Sequence, residues 1–493
     1  MGVERHGGIG MGLAMTVIKG GGVASIAETL PYGLRRVFGW GALGVVGYGL
    51  GWMVVHGWSI IPFALIVLLL LLAIPLSALF TLFFCAAMLT RVVWHFGGIT
   101  IRPDQLLLLP LLVRVLLPTK GGSRGSVPRV VWVILLLTGA WWGTGLASSL
   151  ILSINPGYSL RDVAWIFLSL TSGLTAFVAV KKGLITLGML FSIMRWALLG
   201  AVCYGLIAYA LHVFAHTTFG VQLNPLTQHY EIYGPALEAN IYGSVAALSL
   251  FLWWPAADDR SPYRYVGVAL SVLGVIFCVT RGVWLAVAFS GLLLWVTGRI
   301  KVHPGLFIVG VVPFVVTPVL RRQFGHISGQ SIDLHLRLTS ASQVLFQWSH
   351  GGLIHMMFGF GVNTWGLTHV AFGLGQTIPA WLGGQVFQTL YDTGAIGLAF
   401  LVASVTVLLR ALWPMDKNIW AVRLLGAFVA LAISYEDTTA LWFSFTWLVG
   451  MMGVLAVDSR YSMVAYGRGS SNREEDSERN RCADRHEQGG SPP

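Results

Sequence analysis

The chain has 493 residues, of which 56% are hydrophobic and only 10% charged. Soluble domains carry about 25% charged residues, so this composition excludes a soluble globular protein. The formal charge of +11 does not read as a nucleic-acid footprint, because the basic residues are dispersed among loops, where they set topology and meet anionic lipid.

The apolar runs match or exceed the ~20 residues that cross a bilayer, and no short units of alternating polarity are present, so an all-α polytopic bundle is expected rather than a β-barrel. Cys85, Cys203, Cys278 and Cys482 are scattered, without metal-ligand spacing or a disulfide framework. Residues 1–37 are Gly-rich, have no convincing cleavage site, and read as an N-terminal cytoplasmic segment. Residues 38–457 form the membrane domain, and 458–493, rich in Ser, Arg, Glu and Asp, read as a disordered cytoplasmic tail.

Phe38 to Gly57 is a glycine-heavy candidate first span. Trp58 to Thr90 contains Pro62 and Pro75 and is either one long tilted helix or a helical hairpin. Gln105 to Leu117 then leads to a loop with Lys120, Arg124 and Arg129 that reads as cytoplasmic. Val130 to Ile151 crosses outward, Leu160 to Val180 returns to Lys181 and Lys182, and Gly183 to Phe214, which contains Arg195, crosses outward again.

A polar outer loop precedes the returning span Leu237 to Trp254. Tyr265 to Thr280 goes out, Arg281 sits at the turn, and Gly282 to Gly298 comes back to Arg299, Lys301 and His303. Pro304 to Leu320 goes out, Phe387 to Leu409 returns, and Ala421 to Ser434 with Trp442 to Val457 form a last pair around Glu436 and Asp437. Placing Arg35 and Arg36 inside requires an even number of spans, so 12 or 14 fit, depending on the first two segments.

Residues 321–386 interrupt this membrane-grade sequence with Arg321, Arg322 and Arg337, the histidines 326, 335, 350, 355 and 369, and many glycines. A loop this long is functional or disordered, and this one is too apolar and aromatic for disorder. It reads as an ordered extracytoplasmic cap. Leu334, Leu338, Ala341, Leu345 and Trp348 follow helical spacing, so an amphipathic helix at the interface is expected, with His335 and Arg337 beside its apolar stripe.

Arg281 is the most informative single residue, since an ionisable group at membrane depth costs about 2.5–3.5 kcal/mol and normally faces a cavity or a partner. The other reading is an arginine snorkelling to headgroups. A planar guanidinium suits phosphate or pyrophosphate oxygens. The cap histidines show no zinc spacing, although imidazole can act as a base near neutral pH. Glu238 and Asn240 stand at the outer end of one span, and Asp392 lies one turn inside another. The acids either counter the arginines, hold a sugar hydroxyl, or mark the membrane boundary.

Several stretches together resemble the bacterial O-antigen ligase and O-antigen polymerase superfamily: TIRPDQLLLLPLLV, EANIYGSVAALSLFL, TRGVWLAVAFSGLLL, LRLTSASQVLFQWSHGGLIHMMFGFGVNTW and QVFQTLYDTGAIGLAFLV. The resemblance spans Arg102 to Leu409. It implies a metal-independent glycosyltransferase without cofactor, in the bacterial inner membrane with its active face extracytoplasmic. Its donor is a glycan on undecaprenyl pyrophosphate, and its acceptor is a lipid-linked repeat or a lipid-A core sugar. On this resemblance Arg281 and Arg337 stabilise the pyrophosphate leaving group. Where family ligases carry His-Asn, this chain reads Gly383, Gly384 and Gln385, and Gln385 cannot take a proton. The base then falls to His369 or His355, or to Glu238, while Asn240, His335, His355, Gln385 and Asp392 are candidates for binding substrate. An inorganic-carbon transporter and a protein O-oligosaccharyltransferase remain the alternatives.

Overall fold

The computed structural model describes residues 68, 70–96, 99–118, 127–223, 230–254, 262–300, 332–366, 384–415, 418–434 and 443–458. The candidate spans at 38–57 and 304–320, His369, Glu436, Asp437 and the tail after 458 lie outside them. The chain divides into two compact units, residues 1–83 with 106–118 and residues 84–105 with 119–493.

Among the described residues the regular structure is α-helical apart from two short antiparallel hairpins. In chain order they form α1 (Leu76–Met88), β1 (Trp94–Phe96), β2 (Ile99–Ile101), α2 (Pro103–Leu116), α3 (Arg129–Ile151), α4 (Pro156–Lys181) and α5 (Leu187–Ala215). There follow β3 (Val221–Leu223), β4 (Tyr230–Ile232), α6 (Ala239–Trp253), α7 (Arg264–Phe277), α8 (Arg281–Val296), α9 (Ile332–His350), α10 (Gly352–Phe358), α11 (Gln385–Leu412), α12 (Ile419–Ser434) and α13 (Ser444–Asp458). Among them α3, α4, α5 and α11 are long and apolar enough to cross a membrane, and α1, α6, α7, α8, α12 and α13 are shorter apolar helices.

In the smaller unit the helical run through residues 71–73 breaks at Ile74 and Pro75 before α1 begins. Proline has no N–H to continue the ladder, and the Arg114 guanidinium donates to the Ile74 carbonyl. Trp58 to Thr90 is therefore not one uninterrupted helix.

In the larger unit local chemistry sets the helix starts. Pro156 occupies the first turn of α4, and the Asn155 side chain accepts the Tyr158 N–H at 3.1 Å. Thr186 caps α5 through the Met189 N–H at 3.2 Å. Helix α6 is apolar all round and buried from Ile241 to Trp253, as a helix surrounded by others must be. Small residues set the close approaches: a Cβ at Gly205 would come within 2.4 Å of the Tyr242 ring, and one at Gly267 within 2.3 Å of Trp253. The outer surface is apolar, with Ile151 77% exposed and Phe214 85%. That surface suits lipid and is foreign to a monomeric soluble protein.

Basic side chains collect at one end of this bundle. Arg423, the fifth residue of α12, donates twice to the Trp254 carbonyl after α6, at 3.0 and 2.7 Å. Arg299, just past α8, donates to the Trp413 carbonyl after α11. Lys181, ending α4, pairs with Asp458, ending α13, at 3.0 Å. Arg195 on α5 lies 4.1 Å from the Trp253 ring, whose Nε1 donates to the Arg195 carbonyl at 3.0 Å.

Candidate functional site

The site begins with a break in α11. Gly394 has φ 66° and ψ −169°, a conformation essentially restricted to glycine. The break frees the carbonyls of Tyr391 and Asp392 from the helical ladder. A polar group left unpaired at this depth would cost several kcal/mol, and the segment after α10 supplies the partners. Phe360 N–H donates to the Tyr391 carbonyl at 2.8 Å, Gly361 N–H to the Asp392 carbonyl at 3.2 Å, and the Ser148 hydroxyl of α3 to the same oxygen at 2.9 Å.

Two backbones meet here with no room for side chains. A Cβ at Gly394 would lie 2.4 Å from the Met357 carbonyl, and one at Gly359 (φ 82°) 2.5 Å from the Asp392 carbonyl. Val362 is held by α3 and α4 together: its N–H donates to Ser149 at 3.1 Å, and the Ser159 hydroxyl donates to its carbonyl at 2.8 Å. The glycines of GFGVNTWG thus insert the cap segment into the broken helix.

This insertion assembles a buried acid–amide cluster. Asn363 takes a left-handed φ of 57°, which asparagine tolerates better than most residues. Its N–H donates to Asp392 Oδ1 at 3.0 Å, and its Nδ2 donates to Asp162 Oδ2 of α4 at 2.6 Å. Gln388 Nε2, one turn before Asp392, donates to the same Oδ1 at 2.7 Å. Asp162 pairs with Arg161 at 3.2 Å, and Arg161 lies 4.5 Å from the Tyr158 ring. Asp162 and Asp392 are only 3% and 5% exposed. Among the described residues Arg161 is the one cation paired with either carboxylate. Carboxylates this deep normally face a cavity or an opposite charge.

An aromatic wall runs alongside. His355 stacks on Phe360 at 4.5 Å, Phe360 on Tyr391 at 4.8 Å, and Trp365 meets Tyr391 edge-on at 5.1 Å. Nδ1 of His355 donates to the Gly359 carbonyl at 3.0 Å, which leaves the lone pair of a neutral ring on Nε2. Gln385 Nε2 donates to Thr389 Oγ1 at 3.1 Å. Of the expected residues, His355 and Asp392 therefore flank the same junction, while Gln385 opens α11 and Asp392 lies two turns into it rather than one.

A second group forms where α6 and α8 begin. Glu238 is the residue before α6 and Asn240 lies in its first turn. Gly243 approaches Val283 and Cys278 so closely that a Cβ would come within 2.7 and 2.9 Å of them. The α7–α8 turn, with Val279 at a positive φ of 56°, therefore abuts the first turns of α6. Arg281 is the first residue of α8, so its backbone joins the same neighbourhood. The Ser244 hydroxyl meets Ser434 at 3.1 Å, which adds the end of α12. Both groups lie at the end of the bundle away from the basic contacts.

Arg337 and His335 fall on α9, where the helix is described but these two side chains are not. The apolar stripe of α9 is turned outward: Leu338 and Leu345 are exposed, while Ser340 and Val344 are buried. Val344 joins Trp365 and Tyr391 in a core cluster against α11. In a bilayer the apolar face belongs to lipid, and small or polar residues face protein.

Asp162, Asn363 and Gln388 were not singled out from sequence, although an Arg-Asp pair opening a span and an amide two residues after GFG were visible. Arg102 and Asp104 were missed as well. They form a 3.3 Å ion pair, each 3% exposed. Arg102 donates to Ser169 at 3.2 Å, and Ser444 donates to Asp104. Among the described residues no group of three or more His, Cys, Asp and Glu side chains is placed to hold a metal ion.

The chain matches no protein-family model and no curated protein.

Proposed function

We propose that the chain is a membrane glycan transferase that moves an oligo- or polysaccharide from an undecaprenyl-pyrophosphate donor to a sugar acceptor. The observation that carries this reading is where the polar side chains cluster along the bundle. Arg195, Arg299, Arg423 and Lys181 gather at one end, and the Asp162–Asn363–Asp392 cluster, Glu238, Asn240 and the start of α8 at the other. The positive-inside rule supports a cytoplasmic first end and an extracytoplasmic acid–amide end and cap, and an undecaprenyl-pyrophosphate donor implies a bacterial inner membrane.

A polyprenyl-linked donor enters sideways from the bilayer and presents its diphosphate at that end. Arg281 and Arg337 grip the diphosphate, because a guanidinium matches two phosphate oxygens and stays charged. His369, Glu238 or another acceptor of protons activates the incoming hydroxyl. Attack at the anomeric carbon releases undecaprenyl pyrophosphate, whose negative charge the arginines stabilise without a metal.

A broken span is also a hallmark of transporters, whose unwound carbonyls hold ions. Here the carbonyls freed in α11 accept from Phe360, Gly361 and Ser148, which counts against a coupling-cation site at this break. The test is purified protein in proteoliposomes with an undecaprenyl-pyrophosphate-linked glycan and a choice of glycan or Ser/Thr peptide acceptors. Release of undecaprenyl pyrophosphate by the wild type, and its loss in Arg281→Lys, are expected. No release with any acceptor, together with bicarbonate flux across the same vesicles, would overturn the reading.

A further inference from the structure

We infer that Asp392 is the group that receives the proton of the acceptor hydroxyl, with Asn363 and Gln388 fixing its carboxylate; the inference rests on the transferase reading above. The two carboxylate oxygens are unequally used. Oδ1 accepts from the Asn363 N–H at 3.0 Å and from Gln388 Nε2 at 2.7 Å, while among the described residues no donor reaches Oδ2 and no cation pairs with the group.

Packing alone does not account for that arrangement. An amide oxygen would hold the same two donors, so the structural task at this position needs one neutral acceptor. It does not need a second oxygen or a charge in a side chain that is only 5% exposed. The other intramembrane acid pair shows what a structural solution looks like: Asp104 is matched by Arg102 and takes the Ser444 hydroxyl.

The surroundings suit a sugar hydroxyl. Tyr158, Arg161, Asp162 and Asn363 offer hydroxyl, guanidinium, carboxylate and amide groups beside the aromatic His355–Phe360 pair. Gln385, Gln388 and Asp392 share one face of α11, at i, i+3 and i+7. Gln385 and Gln388 cannot accept a proton, which leaves Asp392 as the basic group on that face.

The step balances without a co-reactant. The acceptor O–H gives its proton to Asp392 Oδ2 as its oxygen bonds to the anomeric carbon. The bond from that carbon to the phosphate oxygen breaks, and its electron pair leaves on undecaprenyl pyrophosphate. The proton then passes from the carboxyl group to water.

The experiment compares wild type, Asp392→Asn and Asp392→Ala in proteoliposomes. It measures undecaprenyl pyrophosphate release, binding of undecaprenyl pyrophosphate itself, the pH profile and rescue by formate. Loss of a general base costs about 10²–10⁴-fold in turnover. The expected result is a loss in that range for Asp392→Asn with donor binding unchanged, loss of the acidic limb of the profile, and partial rescue of Asp392→Ala by formate. Turnover within a few-fold of wild type in Asp392→Asn overturns the inference while leaving the transferase reading intact. So does a loss that comes with lost donor binding or an unaltered pH profile. A wild type that releases no undecaprenyl pyrophosphate fails the transferase reading instead. Should the Asn variant not fold, a wild-type profile without an acidic limb over the range in which the protein stays folded is the overturning result.

Discussion

Replacing Gly394 by alanine tests whether the broken helix is what seats the cap segment. The substitution meets two separate costs. A side chain in this backbone region costs about 1–3 kcal/mol, and a Cβ placed 2.4 Å from the Met357 carbonyl must push that backbone away. Overpacking of that kind adds about 1–3 kcal/mol, so the expected loss is about 2–6 kcal/mol. That is a large share of a typical stability of about 5–15 kcal/mol. Reversible denaturant unfolding in bicelles measures the loss, and hydrogen exchange locates it at the Phe360 and Gly361 N–H groups that bond the freed carbonyls. Gly359→Ala separates the same two backbones, so the double variant should cost less than the sum of the two single changes. Gly139→Ala, on α3 with nothing within 4 Å of its Cβ, should be neutral or slightly stabilising. A Gly394→Ala protein as stable as wild type, with Phe360 and Gly361 still protected, would refute the account of the junction.

Asn363→Ala removes the donor to Asp162 and should destabilise by about 1–3 kcal/mol, read by the same unfolding measurement. Ser148→Ala removes one donor to the Asp392 carbonyl and should cost only about 0.6 kcal/mol, the average for hydrogen bonds between membrane helices, because Gly361 still serves that oxygen. Arg102→Met leaves Asp104 without its partner and should cost about 3–5 kcal/mol, whereas Arg102→Met combined with Asp104→Leu should recover most of that loss.

Among the described residues helix existence was legible from apolar run length, and the ends moved for local reasons. Leu160 to Val180 became Pro156–Lys181 because Asn155 caps the helix and proline fits its first turn. Gly183 to Phe214 became Leu187–Ala215 because Gly183 takes φ 69° and Thr186 supplies the cap. The break in α11 was hidden, since an apolar stretch with two glycines, Gly394 and Gly397, reads as an ordinary span. Its cause lies in GFGVN, some 30 residues upstream, whose N–H groups make the break affordable. On α9 the periodicity marked the face that avoids water, and the exposure of Leu338 and Leu345 turns that face away from the protein. Asp162, Asn363 and Asp392 come from three distant stretches, and only tertiary packing joins them.

The acid at position 392 also makes a prediction about stability whose sign separates a working group from a structural one. Asp392→Asn keeps an oxygen for the Asn363 and Gln388 donors and exchanges Oδ2 for an NH₂. An unpaired amide donor costs about 1–3 kcal/mol, whereas an uncompensated buried charge costs several kcal/mol even after relaxation. The balance favours the amide, so Asp392→Asn should unfold at the same denaturant concentration as wild type or a higher one while losing transfer. A carboxylate kept for packing predicts the opposite sign, because its removal would loosen the junction between the GFGVN segment and α11. Destabilisation by more than about 1 kcal/mol, the net worth of an ordinary hydrogen bond, would assign Asp392 to the scaffold. A more stable and inactive protein would show that the fold carries this charge at its own expense, as functional sites do.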